Sequence, residues 1–160
     1  MIKPILFAVT IFFLLPGCTE VRKSPHETVS SENIKVTYGR PYKKGREIFG
    51  VLEKYGRVWR TGADEATEIT FRKDGNFGGQ PVKEGSYSLY TIPNPMEWTV
   101  ILNKQTGQSG KTYDKSQDLL RVQVPAKKLD QPIEQLTIRF EEKNMIIEWD
   151  RTQVAVPLEF

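Results

Sequence analysis

The sequence predicts an all-β fold: one antiparallel β-sandwich domain, jelly-roll-like, with at most one or two short helical turns. Two observations carry this. Apolar residues alternate with period two in nearly every structured stretch, and turn residues punctuate the alternation at short intervals. A sheet with one buried and one wet face leaves that record. No long stretch has a helical period, no internal repeat is visible, and 160 residues suffice for one domain with a real core.

The elements follow in order. Ile34, Val36 and Tyr38 alternate in IKVTY; Ile69 and Phe71 follow in EITF. SYSLYTI sets Tyr87 and Leu89 against Tyr90 and Ile92, and EWTVIL sets Trp98, Val100 and Leu102 against Thr99 and Ile101. DLLRVQV gives Leu120, Val122 and Val124; QLTIRF gives Leu136, Ile138 and Phe140; MIIEWD gives Met145, Ile147 and Trp149; TQVAVPLEF closes the chain with Val154, Val156, Leu158 and Phe160. Turns are expected at Lys73–Asn76, Gly78-Gly79, Glu84-Gly85, Pro93–Pro95 and Glu142–Asn144. The one helical turn expected spans Ile48 to Glu53. Residues 103–118 form a long polar connection, a length at which loops are often functional. The three tryptophans and most tyrosines lie in register with aliphatic neighbours and are expected in the core; Tyr42 and Tyr55 are the candidates for exposure.

The N-terminus has the pattern of an export signal. Lys3 precedes an apolar run from Ile5 to Leu15, too short for a permanent membrane helix, and Pro16-Gly17-Cys18 follows. Gly17 directly before the chain's single cysteine makes residues 1–17 resemble a bacterial lipoprotein signal peptide, with Cys18 carrying the lipid. Residues 18–33 read as a polar tether and 34–160 as the domain. The expected address is the cell envelope, held to the membrane through the N-terminal lipid. With Thr19 after the cysteine, that is the periplasmic side of the outer membrane in a Gram-negative cell.

Charge gives the clearest functional signal. The formal net charge is only +3, which is not the footprint of a nucleic-acid binder. Yet residues 40–60 hold seven Lys or Arg (Arg40, Lys43, Lys44, Arg46, Lys54, Arg57 and Arg60) against Glu47 and Glu53. Such a stretch can receive phosphate, carboxylate or anionic glycan, or rest against anionic headgroups. It runs into RVWRTGADEAT, residues 57–67. Alternation projected back from Ile69 points Thr67 and Glu65 inward, with Arg60 across the turn. Two readings stay open: a structural Arg60–Glu65 pair under Trp59, or a pocket in which Arg40, Lys44, Arg46 and Arg60 face a ligand while Asp64 and Glu65 accept hydrogen bonds.

Catalytic and metal patterns are sparse. His26 is the only histidine, and Ser24, Ser30 and Ser31 near it make no nucleophile elbow. No zinc-type ligand set and no Gly-rich phosphate loop is present, so no metal or cofactor is expected. His26, Asp64 and Glu65 are the candidates for acid, base or metal-ligand work.

SPHETVS, VTYGRPYKKGREIFG, YGRVWRTGADEATEITF, EGSYSLYTIP and EWTVILNKQTGQ together resemble the family called domain of unknown function 2911, from about Ser24 to the C-terminus. The resemblance implies an exported bacterial protein, in many members a lipoprotein, and carries no activity to transfer. It implies that Ser24-Pro25-His26-Glu27 docks onto the domain, toward Arg60, Asp64 and Glu65. Gln108-Ser109-Gly110 stands where the resemblance would put a tryptophan, so no ligand stacking is expected from that loop. The function expected is a binding module for a small anionic or polyhydroxyl ligand, a small molecule or a glycan. The alternatives are an envelope hydrolase using His26, Asp64 and Glu65, and a structural envelope protein with no ligand.

Overall fold

The computed structural model describes residues 23–160; the expected signal peptide, residues 1–17, and Cys18 lie outside them. Nine antiparallel strands are present: β1 (His26–Ser30), β2 (Ile34–Gly39), β3 (Ala63–Phe71), β4 (Gly75–Phe77), β5 (Gln80–Val82), β6 (Gly85–Ile92), β7 (Glu97–Asn103), β8 (Asp118–Glu141) and β9 (Asn144–Glu159). The all-β antiparallel class is as the sequence predicts. The strands form one continuous open sheet in the order β1-β2-β3-β6-β7-β8-β9-β4-β5.

The two layers are halves of that single sheet, and β8 makes the fold. Its first part pairs with β7, from Asp118 to Pro125, and the rest pairs with β9. DLLRVQV and QLTIRF, read separately above, are thus one bent strand, as are MIIEWD and TQVAVPLEF in β9. The bend brings distant parts of the sheet into contact. The chain just after β2 bonds to the second part of β8: Leu136 N–H donates to Pro41 O at 3.0 Å, and Tyr42 bridges Gln135. One core cluster therefore joins Val36 and Ile69 to Val122, Ile138, Ile147 and Val156. Phe49 sits against Trp98 (4.7 Å between ring centroids), Trp59 (5.8 Å) and Trp149 (6.3 Å), all edge-to-face. Such pairs add about 0.5–1.5 kcal/mol each beyond burial. Residues 40–62 are pinned to the domain by this cluster. Tyr42 and Tyr55 remain exposed, as expected.

Two expectations change. β1 lies within residues 18–33, so the chain is part of the sheet from His26 instead of running as a tether up to Ile34. Its five backbone pairings to β2 supply the order that its polar sequence does not announce. Residues 48–53 form a tight non-helical loop: Gly50 takes a φ of 93°, and Glu53 N–H donates to Ile48 O. The one helical turn among the described residues is a 3-10 turn at Lys115–Gln117, capped by the Asp114 side chain. It lies in the long connection, which covers the outer face of β6 and β7. Tyr90 donates to Thr112 O at 2.9 Å and meets the Tyr113 ring at 4.9 Å. Ile101 on that face is fully buried.

Candidate functional site

The segment from Trp59 to Thr67 is an internal brace. Trp59 exchanges backbone hydrogen bonds with Thr91 at 2.7 and 2.9 Å, and its indole N–H reaches Gly62 O at 3.3 Å. Thr67 Oγ1 donates to Thr61 O at 2.9 Å, and the Thr61 and Thr91 hydroxyls are 3.0 Å apart. These polar groups are buried because each finds a partner. Thr61 and Asp64 take left-handed backbone angles, φ 56° and 63°, which are costly for residues with a side chain. The packing around them holds that geometry.

The left-handed Asp64, together with a register shift between Thr37 and Gly39, breaks the strand alternation at the start of β3. Thr67 is buried as projected, but the Glu65 side chain is 48% exposed. The expected Arg60–Glu65 pair is not formed. Glu65 Oε2 instead lies 3.2 Å from His26 Nε2, and Asp64 Oδ2 lies 3.5 Å from the same nitrogen. Neither contact has hydrogen-bond geometry, so the link is electrostatic when the imidazole is protonated. Asp64 also accepts long bonds from the backbone N–H of Lys23 (3.4 Å) and Ser24 (3.3 Å). The Ser24–Glu27 segment thus docks at Asp64 and Glu65. A small cavity of about 190 Å³ opens there, lined by His26, Tyr38, Glu65, Glu68 and Gln108 among others. The long connection closes one side, with Ser109 bridged to Glu65.

Among the described residues Arg60 forms no ion pair with Asp64 or Glu65. A Cβ on Gly110 would stand 2.1 Å from Arg60 Cδ, so the loop lies directly against the arginine stem. Arg60 Nε is buried without a hydrogen-bond partner. The carboxylate it influences is Glu53, whose pKa is raised by burial against the opposing pull of Arg60 and Arg46.

The other predicted basic residues do not converge on Arg60. Arg40 donates to Leu136 O at 2.9 Å and Thr137 Oγ1 at 3.0 Å, and lies 3.3 Å from Glu27 Oε2, tying β8 to β1. Lys44 offers its backbone N–H to Glu134 at 2.8 Å. Arg46 curls back onto the carbonyls of Lys43 and Tyr42. The two guanidiniums satisfy local acceptors, and none of Arg40, Lys44 or Arg46 lines the cavity beside His26.

A larger cleft of about 510 Å³ lies elsewhere. Lys43, Glu47, Phe49 and Tyr55 line one side; Pro95, Lys127, Lys128, Asp150, Arg151 and Thr152 line the other. It forms where the β8–β9 ladder is interrupted, with register shifts between Lys128 and Ile133 and between Ile133 and Thr137. Asp150, left-handed at φ 50°, sits at the break. Lys43 Nζ is 3.0 Å from Asp150 Oδ1, which leaves Lys127, Lys128 and Arg151 against Glu47. Sequence reasoning missed the last three cations because they lie over 60 residues from the basic segment. The visible signal was the Lys127-Lys128 pair between Pro125 and Pro132. A comparable hollow of about 520 Å³ near the β8–β9 turn carries Glu32, Glu142 and Glu159 against Lys143, the opposite balance.

Among the described residues, no group of three or more His, Cys, Asp or Glu could hold a metal ion. The family described as Protein of unknown function (DUF2911) matches residues 21–158, and the chain belongs to it. Comparison with the curated proteins and with the solved structures found no match.

Proposed function

We propose that this member of the DUF2911 family is a lipid-anchored protein of the cell envelope that binds a small anionic or polyhydroxyl ligand. The ligand site is the cleft between residues 43–55 and the β8–β9 break. The observation that carries this reading is the cleft's charge: with Lys43 and Asp150 paired, three further cations, Lys127, Lys128 and Arg151, line about 510 Å³ against the single carboxylate of Glu47. Arg151, whose Nη1 donates to Asp130 O, keeps its remaining N–H groups for a carboxylate or phosphate, and the Tyr55 ring offers a face to a sugar. Phe49 touches both the cleft and the tryptophan cluster, so occupancy is readable in intrinsic fluorescence.

The test is titration with inorganic phosphate and with a uronic-acid oligosaccharide. Arg151→Glu with Lys128→Glu should weaken binding of whichever probe binds by at least about tenfold, with the fold intact by circular dichroism. Failure of both probes to bind, or affinity unchanged in the double variant, leaves a structural envelope protein with no ligand at this cleft. The anchoring part of the proposal rests on residues 1–18. Labelled fatty acid should enter the chain in cells and be lost with Cys18→Ser. Fractionation would then assign the chain to the outer membrane if the host is Gram-negative.

A second reading has one observation in its favour: His26 meets Glu65 and Asp64 beside a cavity. An imidazole next to two carboxylates can move protons, as an envelope hydrolase of glycans or peptides requires. Turnover of a peptidoglycan fragment that disappears in His26→Ala, at unchanged thermal stability, would establish it. No turnover in the unsubstituted chain removes it.

A further inference from the structure

The same end of the molecule carries a second feature, an apolar tip ringed by cations. Val51, Leu52, Tyr55 and Val58 are exposed in the loop between β2 and β3, and Met96 is 80% exposed in the turn between β6 and β7. The two segments are joined: Gly56 N–H donates to Pro93 O at 2.9 Å, and Ala126 N–H donates to Met96 O at 2.9 Å. These side chains therefore project from hydrogen-bonded turns that hold them in place, and a neighbouring set of apolar groups on one tip marks an interaction surface. Lys54, Arg57, Lys127 and Lys128 are exposed around them. The acids nearby are Glu97 and Glu47, both exposed, and half-buried Glu53, whose carboxyl burial pushes toward the neutral form.

The register fixes where this tip lies relative to the N-terminus. His26 pairs with Gly39, Gly39 with Ala63, Trp59 with Thr91, and Ile92 with Thr99. The start of β1, the end of β2, the start of β3, the end of β6 and the start of β7 thus share one end of the sheet. β1 and β7 are four places apart in the strand order, about 19 Å at the usual strand spacing. Cys18 precedes His26 by eight residues, a reach of at most about 28 Å when extended. A lipid on Cys18 would tether the chain from this end, with the tip within the reach of the linker.

We infer that the tip formed by residues 51–58 and Pro95-Met96 docks on an anionic phospholipid surface, with the apolar side chains entering the headgroup region and the surrounding lysines and arginine meeting phosphates. The inference rests on the lipid anchor proposed above for its orientation, and it gives the tip a partner separate from the small ligand of the neighbouring cleft. Amphipathic tips of this kind gain both from apolar burial and from attraction to anionic lipid, about 1 kcal/mol for each Lys or Arg at the surface, or roughly fivefold in partitioning.

The experiment uses the mature chain with Cys18→Ser, so that no acyl chain contributes. It is sedimented with vesicles of phosphatidylethanolamine and phosphatidylglycerol, three to one, and with vesicles of phosphatidylcholine alone. Binding to the anionic vesicles, weakened by salt and at least about tenfold stronger than to the neutral ones, is expected. Leu52→Asp with Met96→Asp should abolish it while leaving the phosphate titration of the cleft unchanged. Lys54→Glu with Arg57→Glu should lower it about 25-fold or more. No binding to anionic vesicles, equal binding to neutral ones, or indifference to Leu52→Asp with Met96→Asp overturns the inference. Vesicle binding that survives when phosphate binding is absent would overturn the cleft reading alone.

Discussion

The Tyr38 hydroxyl accepts a hydrogen bond from the Ile138 backbone N–H at 2.9 Å. Tyr38 is on β2 near one edge of the sheet, and Ile138 is on the far part of β8. The hydroxyl donates in turn to Glu27 Oε2 at 2.8 Å, so one phenol joins β1, β2 and β8. Burial pushes its pKa well above the ordinary tyrosine value, helped by the Glu27 carboxylate, which keeps it a donor at any physiological pH. Tyr38→Phe keeps the ring and removes the link. It leaves the buried Ile138 N–H without its acceptor, so urea denaturation should show a loss of about 1–3 kcal/mol. A variant as stable as the parent would mean that β8 does not depend on this closure.

Gly39 is required by a close backbone approach. A Cβ there would stand 2.1 Å from Ala63 O and 2.8 Å from Ala63 C, which no side-chain rotation can relieve. Gly39→Ala should cost about 1–3 kcal/mol in chemical denaturation and disturb the β2–β3 register shift next to Asp64. Amide exchange at Ala63 and Asp64 should rise in the variant before the rest of the sheet is affected.

Glu53 gives a pH-dependent prediction. Its folded-state pKa is raised by burial above the ordinary 4.5, so the protonated form is favoured by folding. The stabilising contribution is complete below the unfolded pKa and is lost as pH rises through the raised folded value. Glu53→Gln removes the buried charge and should raise the thermal midpoint at pH 7, with the gain fading below pH 4. A midpoint that falls at pH 7 would show that the attraction of Arg60 and Arg46 outweighs burial.

Asp118 holds the base of the long connection. It accepts from Tyr113 OH (2.7 Å), Arg121 Nε (2.8 Å) and Asn103 Nδ2 (2.9 Å). Burial, then the Asp118 hydrogen bond and charge, push Tyr113 up to about 12. Asp118→Ala should bring the Tyr113 phenolate transition down toward the ordinary tyrosine value in an ultraviolet titration. It should also cost about 2–3 kcal/mol, because bonds to a charged acceptor are lost at once. An unchanged phenolate transition would show that burial alone sets it.

Several features of the site could be read from the chain itself. Alternation located Ile34–Tyr38, Ile69–Phe71 and Trp98–Leu102, because a half-buried strand must alternate. It failed at Glu65, which lies in the register irregularity between the Thr37–Glu68 and Gly39–Ala63 pairs, and at Ile101 and Tyr90, whose outer face is covered by a distant loop. The docking of His26 against Glu65 followed from the resemblance of Ser24–Glu27 to its family, not from periodicity. β1 itself is polar and has the composition of a tether; its order comes from backbone pairing, which leaves little mark on side-chain composition.

What the sequence by itself determined is local: the all-β antiparallel class, the turns, the buried tryptophans and the density of positive charge between residues 40 and 60. Those follow from side-chain hydrophobicity and backbone preference over a few neighbouring residues. Only the tertiary structure decided which charges meet. The Arg40 and Arg46 guanidiniums are consumed by acceptors on β8 and on their own loop, while Lys43 joins Lys127, Lys128 and Arg151 across a break in the β8–β9 ladder. Electrostatic partnership depends on distance in space, and the bend of β8 that sets those distances is a property of the whole sheet.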